Sequence, residues 1–156
     1  MLCVTLRAAG ARFAIPARDI LEVAPLVELA PLPGAPPYVA GLMNLRGRSI
    51  PVADLTVLLA GRPSRRFAST RILCAATPEG LAVGLMAERV LKTLAIDPDA
   101  VAPPGAPAAP WVTGVAGGEE LVQILDVARV LPPELLRALS RTADAPDNRV
   151  PAEAVP

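Results

Sequence analysis

The stretch Tyr38–Leu59, reading YVAGLMNLRGRSIPVADLTVLL, restricts the folds open to this chain more than any other. Two apolar runs, Val39–Leu45 and Ile50–Leu55, flank the polar tetrad Arg46-Gly47-Arg48-Ser49. That arrangement predicts a β-hairpin whose turn uses the backbone freedom of Gly47. The second run reaches Asp54 and passes into Leu55-Thr56-Val57-Leu58-Leu59. A carboxylate just ahead of an apolar helical turn is a favourable N-cap, because its oxygen accepts from amides that the first turn leaves unpaired. The unit is therefore strand, turn, strand, capped helical turn.

A similar unit returns about seventy residues on. Trp111-Val112-Thr113-Gly114 matches Tyr38-Val39-Ala40-Gly41 at an offset of 73, and Ile124-Leu125-Asp126-Val127 matches Val52-Ala53-Asp54-Leu55 at 72. Gly117-Gly118 takes the place of the Arg46-Gly47 turn. Upstream the offset is 70, pairing Leu2-Cys3-Val4 with Ile72-Leu73-Cys74, Phe13-Ala14-Ile15 with Val83-Gly84-Leu85, and Ile20-Leu21 with Val90-Leu91. An offset held across three strands, an aromatic-Val-x-Gly step and a cap reads as two copies of one small β unit, spanning about 1–60 and 70–131.

Composition sets what these copies can be built from. Aromatic residues make up 3% of the chain against 53% hydrophobic overall, so the core must come from Val, Leu, Ile and Ala. Nineteen prolines and eleven glycines favour short elements with many turns, which makes all-β the expected class. Basic and acidic residues balance at 15 each, removing the electrostatic footprint of nucleic-acid or anionic-membrane binding. Arg62, Arg65 and Arg66 are a local exception in the connection between copies and read as a solvated loop. With no histidine, the chain lacks an imidazole base, shuttle or metal ligand. Cys3 and Cys74 appear at matching places inside apolar strands, where a thiol acts as a small hydrophobe; neither a disulfide nor a metal site is expected. The opening residues do not resemble a signal peptide and no apolar run reaches the length of a membrane helix, so a cytoplasmic location without direct membrane insertion is expected.

Taken in order, Met1–Leu6 and Arg12–Ile15 read as a hairpin around Ala8-Ala9-Gly10, and Ile20–Val23 as a third strand. Glu22 then lies on the face opposite Leu21 and Val23, as an ordinary solvated charge would. The proline-dense 31–37 reads as an ordered loop. Thr70–Ala76 and Leu81–Ala87 form a further hairpin, followed by Val90–Leu94, a Pro/Ala-rich loop at 102–110, a last hairpin from Trp111–Val115 and Glu120–Leu125, and a short amphipathic helix over 132–139. One domain is expected over 1–141, with 142–156 a disordered tail.

Asp54 and Asp126 would be the carboxylates of a symmetric catalytic dyad, but neither is followed by the small residue and glycine of such a loop, and both precede helical turns. They read as caps. No serine sits beside a base, and no glycine-rich phosphate loop is present, so no catalytic residue, cofactor or metal is assigned.

The run Gly41-Leu42-Met43-Asn44-Leu45-Arg46-Gly47-Arg48-Ser49-Ile50-Pro51-Val52-Ala53-Asp54-Leu55 resembles the signature of the chemotaxis coupling-protein (CheW-like) family, and the resemblance extends from Met1 to about Leu131. It implies two five-stranded SH3-like barrels around a shared hydrophobic core, with short helices at barrel ends and the C-terminus. It also implies a non-catalytic adaptor that couples a chemoreceptor cytoplasmic tip to a histidine kinase, associated with the membrane through receptor arrays. The resemblance further implies that Ile20, Glu22, Ala30, Asn44 and Arg46 contact the receptor, while Gly41 and Gly47 are expected to meet backbone requirements. The segments 69–75 and 81–94 are similar to coupling proteins of alternative, surface-sensing (Wsp-type) pathways. The rival reading is a stand-alone β-barrel whose groove binds a peptide or small ligand outside chemosensory signalling.

Overall fold

A computed structural model describes residues 1–105 and 109–143. Those residues form eleven strands and three short helices. In chain order they are β1 (Leu2–Ala8), β2 (Ala11–Pro16), β3 (Ile20–Pro25), β4 (Val39–Leu45), β5 (Arg48–Asp54), α1 (Leu55–Ala60), β6 (Arg71–Ala76), β7 (Ala82–Ala87), β8 (Arg89–Ala95), β9 (Val101–Ala102), β10 (Val112–Ala116), β11 (Val122–Leu125), α2 (Val127–Val130) and α3 (Pro133–Ala143).

The strands make two sheets, ordered β8-β1-β2-β11-β10-β9 and β3-β6-β7-β5-β4. Each sheet takes its central hairpin from the opposite copy. The hairpin β1–β2 of the first copy pairs with β8 and β11 of the second, and β6–β7 of the second pairs with β3 and β5 of the first. The parallel contacts are equivalent in both sheets: Ile124 faces Ala14 as Val52 faces Gly84. Sequence copy and structural sheet are therefore different units, and the exchange binds the two halves of the chain to one another.

Each sheet curls shut through a short closing pair. In one, the chain beyond β3 returns so that Ala30 and Leu42 exchange backbone hydrogen bonds of 2.8 Å each way. In the other, the equivalent closure is the sixth strand, β9, where Ala102 pairs with Val115. This strand falls at the start of the segment read as a loop, residues 106–108 of which lie outside the described residues. Gly41 and Gly114 sit beside the two closures. A Cβ on Gly41, whose φ is +148°, would stand 2.5 Å from the Ala30 carbonyl oxygen, so the strands could not approach as they do.

The repeat register differs by one residue along its first strand. Leu6 pairs with Phe13 and Ala75 with Val83, so β1 and β6 are related by 69 rather than 70. Cys74 is thus equivalent to Thr5, and Cys3 to Ile72. The two thiols are not matched residues, although both are buried and face barrel interiors. A one-residue slip of this kind would normally turn every side chain over, and the structure absorbs it in the β6–β7 turn, which is longer than its β1–β2 counterpart.

Alternation sends one face of these strands into a shared core and the other into the barrel interiors. The shared core joins Leu6, Phe13, Ile15, Leu55, Leu73, Leu85, Leu125 and Leu131, each 1% exposed or less, from both copies. Full burial of a side chain of this size contributes ~1.5–3 kcal/mol. The C-terminal helix runs longer than the 132–139 expectation, reaching Ala143, and docks on the shared core through Leu136 and Leu139. The expected tail overlaps α3 at 142–143, and 144–156 lies outside the described residues.

Candidate partner-binding site

The β4–β5 turn is tighter than the four-residue tetrad: Leu45 pairs with Arg48, leaving Arg46 and Gly47 as the loop, with φ +50° and +86°. Two positive φ values in a two-residue loop are the mirror-image turn whose twist matches the flanking strands. Asn44 supports it, its Oδ1 accepting the Gly47 N–H at 2.8 Å. The left-handed backbone at Arg46 costs about 1–2 kcal/mol for a residue with a Cβ. Its side chain, 84% exposed, donates from Nε to Glu22 Oε2 at 3.1 Å.

Glu22 arrives from β3. It faces Cys74 on β6, and its carboxylate is one-third exposed. Burial pushes the Cys74 thiol up to about 11, and the Glu22 charge adds to the rise. The face opposite Glu22 is the unexpected one. Leu21 and Val23 are 53% and 42% exposed, so the apolar pair meets solvent and the carboxylate is the more covered side chain. Val27, just beyond the strand, is exposed as well. Alternation correctly separates Glu22 from its neighbours but does not say which face is outward.

Of the residues expected to contact a receptor, the structure brings Glu22, Asn44 and Arg46 together where the β4–β5 turn meets β3. Ala30 is exposed, its backbone held in the barrel closure, and Ile20 is partly buried against the shared core and separated from Glu22 by a β-bulge. Gly47 sits in the turn with open space around its Cα, a conformational requirement rather than a packing one.

Asp54 ends β5 and Asp126 directly follows β11, in different sheets, and each caps a helix, accepting from Thr56 N and Ala128 N at 3.0 Å. The local framing repeats too: Asp54 N–H donates to the Tyr38 carbonyl and Asp126 N–H to that of Trp111, both at 2.8 Å. Beyond this they differ. Asp54 is 5% exposed and also accepts from Ser64, from its N–H at 2.9 Å and its hydroxyl at 2.6 Å. The loop of Arg62, Arg65 and Arg66 is exposed at those residues but pinned by Ser64, a residue the sequence reading missed because one serine among arginines carries no pattern. Among the described residues no group of three His, Cys, Asp or Glu side chains could hold a metal ion, and no helix is long and apolar enough to cross a membrane.

Residues 2–134 match the model of the CheW-like domain. Protein FrzA of Myxococcus xanthus is 30% identical over 141 residues, covering 86% of this chain and 88% of its own. The crystal structure of the scaffolding protein TtCheW from Thermoanaerobacter tengcongensis superposes with a TM-score of 0.74 at 25% identity, covering 81% of this chain and 84% of that one. With the family model spanning nearly all of both sheets, the chain belongs to the CheW-like family.

Proposed function

We propose that this non-catalytic coupling adaptor of chemosensory signalling engages the cytoplasmic tip of a chemoreceptor through the face around Glu22 and Arg46, while also holding a chemotaxis-type histidine kinase. The adaptor role itself follows from membership of the CheW-like family, whose members are scaffolds rather than enzymes. The observation that supports the face is the Glu22–Arg46 pair beside exposed Leu21, Val23 and Val27. A helical receptor tip could bury those apolar side chains for contact area and read the two opposite charges for register. The balanced net charge favours protein partners over nucleic acid, and a cytoplasmic position within receptor arrays fits such a partner.

Tagged protein, purified from its own cell extract beside Glu22→Arg, Arg46→Glu and the double reversal, tests the reading. An ion pair this exposed contributes only ~0.2–1 kcal/mol to the fold, so all three variants should remain folded by circular dichroism. Receptor and kinase should accompany the wild type, and each single reversal should lose the receptor. The double reversal restores the internal pair but presents inverted charges, so it should stay receptor-deficient. Folded single variants that keep the receptor, or a double variant that regains it, would place the pair in local structure and remove it from the interface.

A further inference from the structure

The two copies build two equivalent clefts, and the described residues fill only one. In the first, Asp54, Thr56 and Glu88 face the connection that follows α1. Ser64 lies on them, its N–H 2.9 Å from Asp54 Oδ2 and its hydroxyl 2.6 Å from Asp54 Oδ1 and 2.9 Å from Thr56 Oγ1. Two residues earlier, Arg62 places Nη1 3.5 Å from Glu88 Oε1. The Thr56 hydroxyl also bonds Glu88, at 3.0 Å. Ser64 is 6% exposed, so this is a built site for an extended segment with a hydroxyl at one position and a cation two residues before it.

In the second, the offsets that relate the copies put Asp126, Ala128 and Arg18 where Asp54, Thr56 and Glu88 stand. These three, with Pro16, Thr77 and Pro78, line an open cleft of about 750 Å³. Asp126 Oδ1 caps α2, as Asp54 Oδ1 caps α1. Its Oδ2, matching the oxygen that receives the Ser64 N–H, turns outward to Arg129 at 3.3 Å. Arg18 is 80% exposed, 4.0 Å from Asp19. No described residue takes the part of Ser64, because Leu131-Pro132 and α3 carry the chain away to the shared core instead.

We infer that this second cleft receives an extended segment of a partner protein carrying an acidic residue two positions before a serine or threonine. Asp126 Oδ1 can accept a hydroxyl as Asp54 Oδ1 does, and its Oδ2 receives the segment's N–H by giving up Arg129 on the surface. The exchange of Glu88 for Arg18 inverts the second demand, so an acidic side chain replaces Arg62. The chain cannot supply the segment itself: of its 15 acidic residues only Asp54 is followed two positions on by Ser or Thr, and that Thr56 is already buried in the first cleft. A second copy of the chain fails for the same reason. Neither Glu22 nor Arg46 lines this cleft, so the inference stands apart from the receptor face.

The test uses the full chain and two fluorescent peptides of sequence 61–67, one unchanged and one carrying Arg62→Glu, measured by anisotropy. The acidic peptide should bind roughly tenfold more tightly than the unchanged one. Arg18→Glu should reverse that preference, which a merely weakened protein would not do. Asp126→Asn keeps a good helix cap but sets an amide nitrogen where an acceptor is needed, and should lose the acidic peptide while remaining folded. Equal binding of the two peptides, binding of neither, or an unchanged preference in Arg18→Glu each overturns the inference.

Discussion

Replacing Asp54 by alanine should cost far more stability than replacing Asp126, although both residues occupy the same place in the repeat and both cap a helix. Removal of either cap costs about 0.5–2 kcal/mol. For Asp126, accepting from Ala128 N and facing exposed Arg129, that is the whole loss. Asp54 also accepts from Ser64 twice in a buried setting. The Ser64 hydroxyl keeps a partner in Thr56 at 2.9 Å, but the Ser64 N–H is left without one. A buried donor so stranded costs about 1–3 kcal/mol, and the lost hydroxyl bond to a carboxylate adds about 1 more. The difference between the two variants should therefore be about 2–4 kcal/mol, a large share of the ~5–15 kcal/mol that holds a domain together. Urea titration followed by circular dichroism reads it directly, and thermal melting should show about 2–4 °C per kcal/mol for a chain of this size. A Ser64→Ala, Asp54→Ala cycle should return a coupling of at least about 1 kcal/mol. Equal losses for Asp54→Ala and Asp126→Ala, or a coupling near zero, would refute the assignment of Ser64 as the residue that ties the connection down.

Gly41→Ala should destabilise by at least about 3 kcal/mol, since its Cβ would meet the Ala30 carbonyl at the barrel closure as well as strain a positive φ; Gly47→Ala, in open space, should cost only about 1–2 kcal/mol. Urea midpoints that rank the two alike would contradict the closure argument. The raised Cys74 thiol gives a pH signature. Its stabilising effect is fully present below the ordinary value of 9.0 and is lost as pH rises towards about 11, because the unfolded chain releases its proton first. The stability of wild type relative to Cys74→Ala should therefore fall by up to ~3 kcal/mol between pH 9 and 11, and a flat difference would show that the thiol is not held in a desolvated place.

Turns and caps were legible residue by residue because each depends on a handful of neighbours. Gly47 marked the turn, though as a four-residue tetrad rather than the two-residue loop that Asn44 supports, and Asp54 and Asp126 carry their caps in the apolar turn that follows. The family signature rests on that same local chemistry. Register was harder: an offset of 70 fits β2 and β7 yet misaligns β1 and β6 by one residue, since alternating Leu, Val and Ala match almost equally well one step either way. The face of β3 was also beyond reach, because alternation shows that Glu22 opposes Leu21 and Val23 without showing which side meets solvent.

By itself the sequence determined a repeated strand-turn-strand-cap unit, an all-β class with an aliphatic core, and membership of an adaptor family without catalytic groups. Only the tertiary structure decided that each sheet borrows its central hairpin from the other copy, that Ser64 seals one of two equivalent clefts, and that Arg18 lines the open one. The physical reason is range. A cap or a two-residue turn is stabilised within a few positions, whereas β1 finds β8 and β6 finds β3 across roughly ninety and fifty residues of chain, among edges that offer the same hydrogen bonds. The choice between them falls to the shared core, where Phe13 and Ile15 of one copy are buried against Leu73 and Leu85 of the other.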